Sequence, residues 1–211
     1  MPVKHQLCAV LCCIAACTAS AVEVPVDQAA PVQQAKPLVA DPVQASTDAY
    51  DKGTEAYVAN DFVEARKQWS RVVAAGNRDA DNNLGYLFYY GLGGARDYPR
   101  ALHLWRRAAV AGQPESQMHL GDAFKNGVAV PKDLVQAYAW FRFSMATAAK
   151  PGPGREDLYA SIAGQARDAL AKLAPTMTRA QVASGELLGA QYIAALTAPG
   201  PGPLDKVRLL K

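Results

Sequence analysis

The side chains that could act as metal ligands or nucleophiles are few in this chain. Of its three histidines, only His103 and His119 lie outside the first 21 residues. All four cysteines fall within the first 17 residues, and the rest of the chain has none. A metal site needs three or four ligands, and neither an H-x-x-x-H nor an H-E-x-x-H spacing occurs. We therefore expect no metal and no cofactor.

Motifs of nucleophilic or nucleotide-binding enzymes do not occur either. The sequence has no G-x-S-x-G elbow, no Walker glycine loop and no S-x-x-K followed by a base. The loop from Gly91 to Gly94 lacks a lysine and follows a predicted helix, so we expect it to end that helix. Glu156 and Asp157 are adjacent acids that complement a helix dipole. The sequence thus predicts a protein that is not an enzyme.

The first residues are typical of an export signal. Lys4 gives a positively charged start, and Leu7 to Ala16 is an apolar run. A ten-residue helix spans about 15 Å, roughly half of the hydrocarbon core of a bilayer, so the run is too short to cross it. It matches the apolar region of a signal peptide, which we assign to residues 1–16.

Two processing sites overlap at the end of this signal. Ile14-Ala15-Ala16-Cys17 resembles a bacterial lipobox, which implies that Cys17 is a lipid attachment site and the new N-terminus. Ala19-Ser20-Ala21 is an A-x-A site that would instead remove residues 1–21. Several acyl chains hold a protein firmly at a membrane. Since Thr18 is not the aspartate that retains lipoproteins at the inner membrane, the lipobox implies the periplasmic side of the outer membrane.

Both ends of the mature chain are predicted to lack a fold. Residues 17–46 are rich in Ala, Val, Pro and Gln and contain no aromatic residue, so they have little to bury. We expect a disordered tether there, because prolines recur every five or six residues. Residues 198–211 begin with a Pro-Gly run and are expected to form a flexible tail.

A repeat of 36 residues organises the middle of the chain. Between Gly76 and Val110, 8 of 35 residues are identical to the residue 36 positions later. The same shift superposes Trp69 on Trp105, and Trp105 on Phe141. Each unit reads as two amphipathic helices with a glycine stop between them, and Asp97 and Asp133 are placed to cap the second helix of their units.

These residues resemble the Sel-1-like repeat, a tetratricopeptide-related α/α repeat. The resemblance rests on Leu84-Gly85, Gly91-Leu92-Gly93, Asp97, Ala101 and Trp105 with their copies 36 residues on. It implies an all-α solenoid of stacked helical hairpins, and interaction with other proteins. We assign the repeats to residues 47–149, as units 47–76, 77–112 and 113–149, and a C-terminal capping helix pair to residues 150–197. Ala129 departs from the pattern, since a second loop glycine is expected there.

The expected binding surface lies on the leading helices, opposite their apolar stripes. Because 22 basic against 19 acidic residues give a charge of only +3, we expect no nucleic acid. The predicted partner is a protein or peptide, and the membrane is contacted only through the lipid anchor. Two alternatives stay open: an envelope hydrolase acting on cell-wall or β-lactam amides, and a purely structural tether. The predicted partner-binding residues are Asn82, Tyr86, Tyr89, Met118, Asp122 and Lys125.

Overall fold

The computed structural model describes residues 42–197, with side chains from residue 46 onward, and shows an all-α architecture. Eight α-helices follow one another in this part of the chain, and a short 3₁₀ turn, Ala174–Thr176, precedes the last. The helices are α1 Pro42–Val58, α2 Phe62–Val73, α3 Arg78–Tyr90, α4 Tyr98–Val110, α5 Pro114–Asn126, α6 Leu134–Ala148, α7 Glu156–Leu173 and α8 Arg179–Thr197.

The first six helices form three antiparallel hairpins, as the repeat predicts. Each helix also packs on the next along the chain, so that α2 contacts α3 and α4 contacts α5. One boundary differs from the prediction: α1 begins at Pro42, inside the segment assigned to the tether. A proline at the first helical position loses no hydrogen bond, and its fixed φ suits a helix start. Proline spacing alone therefore misplaced the start of the fold by five residues.

The caps read from the sequence are present at the helix ends. The carboxylate of Asp97 accepts a hydrogen bond from the backbone N–H of Arg100, and that of Asp133 accepts from the N–H groups of the second and third residues of α6. Gly91 ends α3 with a left-handed φ of 71°. Thr178 and Gln181 form the reciprocal capping box that opens α8. These caps confirm the predicted helix boundaries within the repeats.

One glycine in the first helix of each hairpin lies against a large ring on the second helix. A Cβ atom added to Gly85 would lie 2.7 Å from the indole Nε1 of Trp105, and one added to Gly121 would lie 2.4 Å from the ring of Phe141. Contacts closer than about 3 Å are not tolerated in close-packed interiors. The glycines let the helices of a hairpin approach closely, which explains why the repeat keeps glycine and aromatic residue together.

The C-terminal helices cover the last hairpin in a way that the sequence did not predict. Both α7 and α8 pack mainly on α6 and not against each other, so they do not form a further helical hairpin. Tyr192 of α8 is 3% exposed, packs against Trp140 with 4.8 Å between the ring centroids and donates a hydrogen bond to Gln136. On α7, the apolar spacing predicts a buried stripe of Leu158, Ile162, Ala166, Ala169 and Leu173; Ile162, Ala166 and Leu173 are buried, whereas Leu158 is exposed and Tyr159 is buried beside it.

Several predictions fall on residues outside the described range. The signal peptide, Cys17, most of the tether and the tail at 198–211 all lie there, and they stay predictions. Among the described residues, no helix is both long enough and apolar enough to span a bilayer.

Candidate functional site

The first helices of the three hairpins line a groove of about 330 Å³. Its wall is built by α1, α3 and α5, and Trp69 of α2 lies at its base. The lining combines aromatic rings with amide, hydroxyl and carboxylate groups, which is the mixed character of a ligand-binding surface. The residues that line it are Thr54, Tyr57, Trp69, Asn82, Asn83, Tyr86, Glu115 and His119.

Aromatic rings form the two sides of the groove. On one side, Tyr57 lies 5.7 Å from the ring of Trp69, measured between centroids. On the other side, Tyr86 lies 6.0 Å from the imidazole of His119, which stacks on Trp105 at 4.5 Å and an angle of 24°. Rings stacked in this way are held rigidly, so a partner would meet preorganised apolar surface.

The protonation state of His119 follows from its position between these rings. Burial disfavours the imidazolium form and lowers the pKa of His119 to about 4, although the nearby Asp122 acts in the opposite direction. The imidazole is therefore neutral at pH 7. Burial is also the main reason why the pKa of Tyr57 is raised. The groove thus presents neutral rings at physiological pH.

Asn82 joins two walls of the groove instead of facing outward. The residue is 3% exposed, so the prediction that it presents its side chain to a partner on an exposed face is wrong. Its Nδ2 donates to Glu115 at 2.9 Å, and its Oδ1 accepts from the hydroxyl of Ser116 at 2.7 Å. Its backbone oxygen accepts from the indole of Trp105 at 3.2 Å. These bonds fix α5 against α3 and orient the carboxylate of Glu115.

Tyr89 and Met118 are engaged within the fold. Tyr89 packs at 5.0 Å from the rings of both Trp105 and Tyr98, beneath the glycine loop. Met118 packs against the cluster that Ile162 forms between α6 and α7. Neither residue is among those that line the groove.

Asp122 and Lys125 form an ion pair one turn apart on α5. The ammonium group of Lys125 also lies 5.7 Å from the ring of Phe141. Lys125 lines a separate surface cavity beside α7. Of the six residues predicted to bind a partner, the structure brings only Asn82 and Tyr86 to the groove.

The groove is lined by two of the predicted residues on α3, Asn82 and Tyr86, and by neighbouring positions on α3 and α5 that were not predicted. The lining positions 83 and 86 in α3 and 115 and 119 in α5 follow the i, i+3 and i, i+4 spacings of one helix face. Asn83, Glu115 and His119 belong to this face and were missed. The signal was available, because Asn83 and His119 are 36 residues apart, as are Asp79 and Glu115.

A second cavity of about 440 Å³ lies near the start of α3 and contains the buried carboxylate of Asp81. Arg107 approaches Asp81 at 3.5 Å and donates to the backbone oxygen of Val73 at 2.9 Å. Burial raises the pKa of Asp81 to about 6, against the opposing effect of Arg107. In the next repeat, Gln117 donates to the equivalent oxygen, that of Ala109, at 2.9 Å. The ion pair of Asp81 and Arg107 therefore binds the backbone oxygen at the position where, one repeat later, the neutral amide of Gln117 binds it.

A family model recognises two units in the middle of the chain. The model of the Sel1 repeat matches residues 78–112 and 114–144. This chain contains Sel1 repeats. Such repeats are in general modules of protein interaction. The matched segments cover α3, α4, α5 and most of α6, and so include two of the three leading helices that form the groove.

Comparison with solved structures finds similar chains. One is a protective antigen of uropathogenic Escherichia coli strains with an SLR fold; it is 22% identical, with a TM-score of 0.60, over 74% of this chain and 34% of that protein. This chain thus corresponds to about a third of that protein's length. Another is a Sel1 repeat protein from Oxalobacter formigenes, 22% identical over 74% of this chain and 76% of its own, with a TM-score of 0.46. A sequence comparison with curated proteins finds no match.

Groups of acidic residues, histidines or cysteines that could hold a metal ion are absent from residues 42–197. His103 lines the second cavity together with Asp81. His119 stacks between rings of the groove. Glu156 and Asp157 lie in the first turn of α7, as the sequence suggested.

Proposed function

We propose that this chain is a non-catalytic scaffold of the bacterial cell envelope that binds a protein or peptide in the groove between α1, α3 and α5. The observation that carries the proposal is the groove itself. It is lined by aromatic rings that pack against neighbouring rings and by polar groups that neighbouring helices hold in place. Aromatic residues dominate the binding energy of protein interfaces when they are held in such a surface.

The chemistry of the groove supports binding more than turnover. Catalysis of acyl transfer needs a nucleophile within hydrogen-bonding reach of a base, and a site for the oxyanion. In the groove, the hydroxyl of Thr54 has no such pairing with His119, whose imidazole lies against Trp105 and Tyr86. The residues do, however, offer hydrogen-bonding groups and flat apolar faces to an extended chain.

The placement in the envelope rests on the sequence of the first 17 residues. In this proposal, the chain is exported and lipid-anchored to the outer membrane through Cys17. Residues 18–41 then hold the repeats away from the membrane. The chain would bind its partner in the periplasm, and the lipid anchor would keep this binding at the outer membrane.

A peptide selection on the full chain tests the binding function. A random peptide library would be selected on the wild-type protein and on Tyr57→Ala and Tyr86→Ala. Leu187→Ala serves as the control, because Leu187 is 64% exposed on α8 and lies outside the groove. We expect selected peptides to bind wild type and the control equally, and to bind each groove variant at least tenfold more weakly.

The same selection separates the proposal from its alternatives. A purely structural tether predicts that no peptide is enriched and that both groove variants are silent. An envelope hydrolase predicts instead that bound cell-wall peptides or β-lactams are cleaved, which mass spectrometry of the incubated ligands would show. Melting temperatures of all variants, measured by circular dichroism, establish that loss of binding is not loss of the fold.

A further inference from the structure

The groove carries a negative charge that nothing in it balances. Glu115 is the one carboxylate among its lining residues, and these residues include neither lysine nor arginine. His119 adds no charge at pH 7, because burial holds its pKa near 4. The groove therefore has a formal charge of about −1 in a partly enclosed, ring-lined space, where the effective dielectric is lower than in water.

Among the half-buried carboxylates of the described residues, Glu115 alone has neither a lysine or arginine partner nor a capping role. Every other one either pairs with a lysine or arginine nitrogen within 4.0 Å or caps a helix. The paired ones are Glu64, Asp79, Asp81, Asp122 and Glu186, and the caps are Asp97 and Asp133.

One of the two carboxylate oxygens of Glu115 is left to accept a hydrogen bond from a partner. Oε2 accepts from Asn82 at 2.9 Å, and no described donor lies on Oε1. Glu115 is in the first turn of α5, where the helix dipole tolerates a carboxylate. The guanidinium of Arg155 donates to both carboxylate oxygens of Asp79, and Arg155 is not among the residues that line the groove.

The rings around Glu115 have the electrostatic character that a cation prefers. The faces of Tyr57, Tyr86 and Trp69 carry the negative end of the aromatic quadrupole, and a cation within about 6 Å of such a face is attracted to it. The volume of about 330 Å³ lies at the lower end of the range for ligand pockets, which suits one or two side chains rather than a large ligand.

Resting on the proposed function of the groove, we propose that it recognises a basic peptide segment by taking the charged end of one arginine or lysine side chain. Glu115 accepts hydrogen bonds from the guanidinium or ammonium group through Oε1. Tyr57 and Tyr86 contact the aliphatic stem and the face of the charged group. Asn82 positions Glu115 without touching the ligand.

The test combines a selection with a double-mutant cycle. Random peptides would be selected on the full chain as wild type, as Glu115→Gln and as Glu186→Gln. Glutamine at position 115 keeps an acceptor for the Asn82 amide and removes the charge. Glu186 is a matched control, because it pairs with Arg142 on the far side of α6. We expect arginine or lysine enriched at one peptide position on wild type and the control, and background frequencies on Glu115→Gln.

The cycle is then run with one selected peptide and its citrulline analogue, which has nearly the shape of arginine without its charge. Citrulline should weaken binding to wild type at least tenfold and binding to Glu115→Gln less than twofold, by calorimetry. Equal effects of citrulline on both proteins would overturn the proposal.

Two other outcomes of the selection also overturn the proposed cation site, and they differ in whether peptide binding in the groove is still supported. Enriched peptides without a basic residue, still lost in Tyr57→Ala and Tyr86→Ala, contradict the cation site but support peptide binding in the groove. No enrichment on any protein contradicts both the cation site and the proposed function.

Discussion

The indole ring of Trp105 lies directly on Gly85, and its Nε1 donates to the backbone oxygen of Asn82 one turn earlier in α3 at 3.2 Å. Trp69 makes the same bond to the backbone oxygen of Tyr50 in the first hairpin, also at 3.2 Å. The close approach thus serves both packing and hydrogen bonding, because the missing Cβ brings the ring within reach of the backbone.

Gly85→Ala should therefore destabilise the fold. The added Cβ would lie 2.7 Å from Nε1, so the ring must shift, and overpacking of this kind costs about 1–3 kcal/mol. The lost indole hydrogen bond adds about 1 kcal/mol. Urea unfolding followed by circular dichroism measures the change. Gly164→Ala is the control: an added Cβ there meets nothing within 4 Å, and alanine in mid-helix should stabilise by about 0.5–1 kcal/mol.

Ala129→Gly should stabilise the protein, although it removes a side chain. Ala129 has a φ of 61°, a left-handed conformation that costs a residue with a Cβ about 1 kcal/mol. We expect a net gain of about 0.5 kcal/mol, since glycine also loses more backbone entropy on folding. The reverse change at the equivalent position, Gly93→Ala, should destabilise, because its Cβ would lie on the backbone of Phe62. Thermal unfolding of both variants checks the opposite signs; a lower melting temperature for Ala129→Gly would contradict the argument.

The contribution of Asp81 to stability should fall as the pH rises from about 4 to 6.5, whereas that of His119, whose pKa burial lowers to about 4, should rise over the same range. Asp81 has a pKa of about 6 in the folded state against 3.8 in the unfolded chain, so the folded state binds its proton more tightly. The stabilisation that this proton gives to the folded state is fully present below pH 3.8. It is lost as Asp81 ionises near pH 6. The loss should be about 1–2 kcal/mol after allowance for screening by solvent.

Asp81→Asn isolates this contribution from other titrating groups. The variant should gain stability relative to wild type as the pH rises from about 4 to 6.5, because the His119 contribution is common to both proteins, while Arg107 keeps its bond to Val73. The measurement is the difference between the two proteins in urea unfolding at several pH values. Parallel pH profiles for wild type and variant would show that Asp81 does not titrate in this range.

Cys17→Ala tests the proposed anchor. Wild-type protein expressed in a bacterial host should incorporate radiolabelled fatty acid and sediment with outer membranes, because several acyl chains hold firmly where one does not. The variant should incorporate no label and appear in the soluble periplasmic fraction. An intact mass of the wild-type protein that corresponds to an unmodified chain from Val22 would instead support the A-x-A site.

Much of the fold was predictable because the repeat imposes the same geometry twice. The 36-residue register places Asp97 and Asp133 at helix starts and Gly91 at a helix end, and the structure has them there. The docking of α7 and α8 on α6 was not predictable, since no repeat constrains them. Tyr192, which buries its ring against Trp140, carries no periodic signal.

The groove was harder to predict because a leading helix is enclosed on more than one side. A helical wheel assumes one buried face, but α3 packs on α2 as well as on α4, and the hydrogen bonds of Asn82 tie it to α5. A side chain opposite the core stripe is then buried, as Asn82 is. One residue corresponds to about 100° of rotation, which is enough to exchange Tyr89 for Asn83 as a lining residue.

A photo-crosslinking map tests the central claim most directly. A peptide selected on the full chain would carry a benzophenone group, and mass spectrometry would locate the sites at which it attaches. Binding in the groove predicts attachment to α1, α3 and α5, around Tyr57, Tyr86 and His119, and competition by the unlabelled peptide. Attachment confined to α6, α7 or α8, unchanged in Tyr57→Ala and Tyr86→Ala, would contradict the account.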